Sequence, residues 1–200
     1  MVDFQSRDTS RGSSTEEHET EPEDTDEAEA SPEVGERTGE RASDSIDRSG
    51  LFVVTVDVAE ATRLASEGVC DRLEANGQTV IETERVDASH DVVQATVDRT
   101  VARRDVEAVV TVGGTGVGDA DVTVEAVEPL LEKELPGFGE LFRVSYHERV
   151  GTDVVAMRPL AGISDGVPVF CLPGDPGAAE FATEEILLGA IDRLLADAGD

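Results

Sequence analysis

Three observations predict an α/β fold whose largely parallel sheet is covered by helices on both faces. Short apolar runs alternate with helical patterns along residues 51–199. The runs "LFVVTV", "VEAVVTV" and "VPVFCL" are predominantly apolar rather than apolar at every second position, as strands buried on both faces are, with Glu107 their one charged residue. Glycine- or proline-containing turns follow the last two of them.

Taken in order, "LFVVTV" (51–56) reads as a buried strand, and Ala59 to Ala75 as a helix ended by Asn76-Gly77. "QTVIETERV" is a second strand. Asp87 or Ser89 can then cap a helix over "HDVVQATVDRTVARRD". "VEAVVTV" (106–112) is a third strand, followed by a glycine loop and a helix over 123–134. "FGELFRVSYHER" offers a short helix, "VPVFCL" another strand, and "GAAEFATEEILLGAIDRLLADAG" a long closing helix.

Composition divides the chain in two. Residues 1–50 hold 16 acids against 5 arginines and show no apolar periodicity, so 1–48 is expected to be a disordered acidic tail. Residues 49–200 are expected to form one globular domain. The formal charge is -29, and Lys133 is the only lysine. A surface this acidic and poor in lysine suits a cytoplasm at molar salt, where carboxylates repel one another little. Diluting salt from about 1 M to about 0.1 M lengthens the screening distance from about 3 Å to about 10 Å. The melting temperature is therefore expected to fall on dialysis, and an unchanged or higher value would refute a halophilic origin.

The same charge argues against nucleic-acid binding, since no basic stripe is present to displace counterions. No apolar run approaches membrane-spanning length, and "MVDFQSRDTS" lacks a signal peptide's apolar region. A cytoplasmic protein is expected. Cys70 and Cys171 stand alone in apolar patterns and suit core positions, and His18, His90 and His147 lack ligand-like spacing.

Three stretches carry chemistry. In "VVTVGGTGVGDAD", Gly113, Gly114 and Gly116 permit close backbone approach, and the loop amides could bind an anion; a plain βα connection would look the same. The lysine of a Walker loop and the spacing of a dinucleotide fingerprint are both missing. Asp119 and Asp121 follow. A carboxylate beside phosphates needs an intervening cation such as magnesium, whereas Asp121 could equally cap the next helix. In "VFCLPGDPGAAEF", two prolines around a glycine stiffen a turn before a helix N-terminus. "MRPLAG" places Arg158 at a bend, as a phosphate fork or as an ordinary ion pair.

Together, "VVTVGGTG", "DVTVEA", "LLEKELPGFGELFR", "MRPLAG" and "VFCLPGDPGAA" resemble the MoaB/MogA family of molybdenum-cofactor biosynthesis proteins, over roughly residues 51–196. The resemblance implies a three-layer α/β/α sandwich assembled as a trimer or hexamer. It also implies molybdopterin and ATP as substrates, with magnesium, and adenylyl transfer onto the terminal phosphate of molybdopterin. By position it makes Gly113, Gly114, Thr115 and Gly116 the phosphate loop. Asp121 and Asp87 become the catalytic and magnesium-handling acids, and Pro173 and Gly174 line the pterin region. Asp175 follows where serine or asparagine is common, and Arg158 is carried as a substrate-binding cation. The chain departs from the family where its first strand is usually followed by "SDR" and a glycine-rich loop. Here the sequence reads "VTVDVAEATRLASEGV", and Met157 stands in place of a serine. These departures make a non-catalytic molybdopterin-binding or carrier protein the alternative. A nucleotide-acting relative of the CinA-like group fits less well, because the threonine of "GGTG" and the "PGFGELFR" run argue against it. An assembly protein recruiting partners through its acidic tail is a further alternative.

Overall fold

A computed structural model describes residues 50–57 and 59–198. The segment 1–48, expected to be disordered, lies outside the described residues. Six strands form one sheet: β1 (Gly50–Val56), β2 (Val80–Val86), β3 (Val106–Val112), β4 (Lys133–Glu134), β5 (Leu160–Ser164) and β6 (Val167–Leu172). Their order is β2-β1-β3-β6-β5-β4. The first four in that order are mutually parallel, while β5 runs antiparallel to both β6 and β4. The sheet is thus mixed and mostly parallel.

Alternation along the strands sorts side chains into two cores. Leu51 and Val53 of β1 face α1 (Glu60–Ala75), α4 (Pro136–Val150), α5 (Pro176–Ala182) and α6 (Leu188–Ala198). Phe52, Val54 and Val56 face α2 (His90–Val101) and α3 (Thr123–Val127). Every residue of β1 and β6 is buried, which explains why Thr55, hydrogen-bonded to Ser66, is the one polar side chain in those runs. This is the three-layer sandwich expected from the sequence.

In the first core, Phe142 is fully buried, with its ring stacked 5.0 Å from Tyr146 and edge-on to Phe181 at 6.1 Å. Phe142→Ala is expected to destabilise the domain by about 3–5 kcal/mol, read by denaturant unfolding. A loss below about 1 kcal/mol would mean that this face of the sheet is not closed as described.

Three expectations need correction, and one strand is added. The helix expected over 123–134 ends at Val127, and a 3-10 turn over Glu128–Leu130 follows. Pro129 has no N–H to donate, and its ring crowds the carbonyl one turn back. The chain then extends, and Lys133 and Glu134 pair with Ile163 and Gly162 as the edge strand β4. Strand β5 was not anticipated either. It joins β6 through Asp165 (φ 49) and Gly166 (φ 71), a two-residue turn with both φ positive. Helix α4 is longer than expected because Pro136 starts it, a position that needs no N–H. Finally, the closing helix is interrupted by a π-helical turn over Thr183–Leu187.

Among the described residues no helix is long and apolar enough to cross a membrane.

Candidate functional site

The chain leaves β1 through α1 toward β2 on one side, and leaves β3 through α3 on the opposite face toward the other side of the sheet, so connections diverge between β1 and β3. In sheets of this type ligands bind beyond the carboxyl ends of the strands at such a divergence. A cleft of about 270 Å³ lies there. Gly114, Thr115, Gly116 and Asp121 line it from the loop after β3, and Pro173, Gly174 and Asp175 from the loop after β6. Asp57, Thr62 and Met157 complete the wall.

The two loops interlock beneath the cleft. Gly113 has φ +103, and a Cβ there would sit 2.4 Å from the Val56 carbonyl oxygen and 2.7 Å from Thr62 Cγ2. The Gly113 amide donates to the Leu172 carbonyl at 2.9 Å, tying the end of β3 to the end of β6.

Tracing the loop's hydrogen bonds shows what it offers a ligand. The Gly113 carbonyl accepts from Thr123 Oγ1 at 2.7 Å, and the Gly114 carbonyl from the Thr123 amide at 2.9 Å. The Thr115 carbonyl accepts from the Arg158 amide at 3.0 Å, and the Gly116 carbonyl from Arg158 Nε at 2.7 Å. All four carbonyls of "GGTG" are occupied. The amides of Gly114, Thr115 and Gly116 have no acceptor among the described residues. Three unused N–H donors in a cleft wall are suited to an anion.

Asp121 is not a helix cap. The N-cap of α3 is Val122, without a side-chain bond, and Asp121 Oδ2 instead accepts from the Gly118 amide at 2.8 Å. The carboxylate folds back over Gly116, where a Cβ would meet it at 2.5 Å. Asp175 does cap: its Oδ1 accepts from the Ala178 amide at 2.9 Å, with Pro176 next in α5. Asp57, absent from the sequence-derived set, has φ 93, a conformation that L-residues avoid and that recurs at functional sites.

Two expected residues stand outside the cleft wall. Asp87 is exposed after β2, beyond Val86, whose carbonyl accepts from the Asp57 amide at 3.0 Å. Arg158 is turned onto the outer side of the glycine loop. Its guanidinium pairs with Glu125 and donates to the Asp121 carbonyl at 3.3 Å as well as to Gly116. The Arg158 hydrogen bond holds the Glu125 carboxyl below its ordinary range. With its folded-state pKa below the unfolded one, the pair adds stability above the ordinary carboxylate pKa and loses it as acid protonates Glu125.

Asp57, Asp121 and Asp175 bring three carboxylates to the cleft, and among the described residues no cationic side chain lines it. Among the described residues no group of three or more His, Cys, Asp or Glu side chains is disposed to hold a metal alone. Carboxylates on separate loops fit magnesium shared with substrate phosphates, since that ion is typically held by one or two carboxylates and the phosphates themselves. Neither cysteine is poised as a nucleophile: burial pushes the Cys171 thiol up to about 12 and the Cys70 thiol up to about 11.

Residues 65–193 match the family model described as "Probable molybdopterin binding domain". The chain is 37% identical over 124 residues to molybdenum cofactor biosynthesis protein B of Halalkalibacterium halodurans, covering 62% of this chain and 73% of that protein. It is 48% identical over 90 residues to the protein of the same name from Staphylococcus epidermidis, covering 44% of this chain and 51%, about half, of that one. Among solved structures, it is similar to a crystal structure of molybdenum cofactor biosynthesis protein B. The TM-score is 0.70 at 32% identity, over 76% of this chain and 97% of that chain. The tungsten cofactor synthesizing protein MoaB from Pyrococcus furiosus superposes with a TM-score of 0.67 at 30% identity, over 76% of this chain and 98% of that one.

Proposed function

The chain belongs to the MoaB/MogA family of molybdopterin-binding domains, and from that premise we propose that it binds molybdopterin and adenylylates it with ATP. The observation that carries the proposal is the glycine loop, whose four carbonyls are occupied while three amides remain unused at the cleft wall. In the reaction, an oxygen of the terminal phosphate of molybdopterin attacks the α-phosphorus of ATP. The bond from that phosphorus to the bridging oxygen breaks, and pyrophosphate leaves. Such a transfer is accelerated mainly by positioning and charge stabilisation. The amides of Gly114, Thr115 and Gly116 hold a phosphate in place, and the stiff Pro173-Gly174 turn forms a wall for the pterin. Asp121, anchored by the Gly118 amide, orients the phosphates, and Asp57 faces it from the end of β1. Magnesium, when bound with the nucleotide, neutralises phosphate charge beside these carboxylates. Asp87 acts from outside the cleft wall, and self-association as a trimer or hexamer belongs to the same proposal.

Because carboxylates are the charged groups that the described residues bring to the cleft, ATP affinity is expected to depend on magnesium. Chelation should weaken ATP binding at least ten-fold by calorimetry in molar KCl, about 1.4 kcal/mol of lost charge compensation. Equal affinity with and without magnesium would contradict this assignment of the acids. A second reading, a molybdopterin-binding or carrier protein without turnover, draws support from Met157. That side chain lines the cleft at the position where the family resemblance implies a serine hydroxyl.

A further inference from the structure

The glycine loop is held from two sides. From within the fold, Thr123 binds the carbonyls of Gly113 and Gly114. From outside, Arg158 binds those of Thr115, Gly116 and Asp121 through its amide, Nε and Nη2. Both terminal nitrogens of the guanidinium also contact Glu125, in the first turn of α3. One arginine therefore couples the start of β5, the glycine loop and α3, and it faces away from the cleft that the loop lines.

We infer that Arg158 is a positioning residue which, locked by Glu125, pins the far end of the glycine loop by its Thr115, Gly116 and Asp121 carbonyls, and so holds in place the loop whose Gly114–Gly116 amides line the cleft, without touching the ligand. The inference rests on the reading of this loop as a phosphate cradle. A peptide unit that turns its carbonyl one way turns its N–H the other, because the peptide is planar. Thr123, on the carbonyls of Gly113 and Gly114, therefore sets the amides of Gly114 and Thr115; the Arg158 amide, on the Thr115 carbonyl, sets that of Gly116, and the guanidinium anchors the loop just beyond at Gly116 and Asp121. The planar fork is essential: a guanidinium reaches two carbonyls and a carboxylate at once, which an ammonium on a flexible stem cannot do.

The test compares wild type with Arg158→Gln, Arg158→Lys and Glu125→Gln in molar KCl with two readouts. The first is amide hydrogen exchange of residues 113–123 in the ligand-free protein. Arg158→Gln and Glu125→Gln should speed exchange in this loop while β3 and β6 stay protected. The second is the affinity for ATP with magnesium. Arg158→Gln and Arg158→Lys should each weaken it about ten-fold, the scale of one charge-assisted hydrogen bond, and Glu125→Gln should weaken it in the same direction. A direct phosphate ligand would behave oppositely. Lysine would then preserve binding, and Glu125→Gln would tighten it by freeing the cation. Either result, or unchanged loop exchange in Arg158→Gln, would overturn the inference. Failure of wild type to bind ATP would instead count against the cradle, and loop exchange would still decide the clamp.

Discussion

Asp121→Asn is expected to leave the domain folded and to slow adenylyl transfer at least a hundred-fold in single-turnover measurements. Asparagine keeps an oxygen that can accept from the Gly118 amide, and it is smaller in charge but not in shape. The loop should therefore close as before, with a melting temperature close to that of wild type. What changes is the formal charge facing the substrate phosphates. Losing about 2.7 kcal/mol of transition-state stabilisation is a hundred-fold in rate, within what one metal-assisted contact supplies. Molybdopterin affinity should hold or rise, since a repulsive carboxylate has gone. Equal rates in the two proteins would remove Asp121 from the mechanism.

Gly113→Ala is expected to cost about 3 kcal/mol or more of folding stability. The new methyl would meet the Val56 carbonyl oxygen at 2.4 Å, and the backbone φ of +103 is one that alanine resists. Neither partner can move freely, because Val56 belongs to a fully buried central strand and Thr62 Cγ2 stands 2.7 Å from the same point. Relief would require separating the ends of β1, β3 and β6, where the cleft lies. The variant should thus lose ligand affinity along with stability. Denaturant unfolding showing a loss under 1 kcal/mol would mean that the loop is not packed as described.

The central architecture was legible because burial on both faces writes itself into β1, β3 and β6 as predominantly apolar runs. The two antiparallel strands were harder to read. β4 is two exposed residues with no apolar signal, and its pairing depends on Ile163 and Gly162 far along the chain. β5 carries a local sign, the Asp165-Gly166 pair between apolar runs, which marks a tight hairpin. At the site, the glycines and Asp121 stand out because their residue types are rare in so ordered a pattern. Asp57 does not stand out, since one acid among many is silent until the strand end brings it to the cleft. Arg158 illustrates the opposite limit. Its residue type suggests a phosphate fork, whereas only coordinates show that the guanidinium is spent on the carbonyls of Gly116 and Asp121 and on Glu125.

The central claim is catalysis, and single-turnover reaction of the full chain with molybdopterin and magnesium-ATP in molar KCl tests it most directly. The account predicts one pyrophosphate released for each adenylylated molybdopterin formed, with both lost when magnesium is chelated. Tight molybdopterin binding without pyrophosphate release would contradict it and make the protein a carrier.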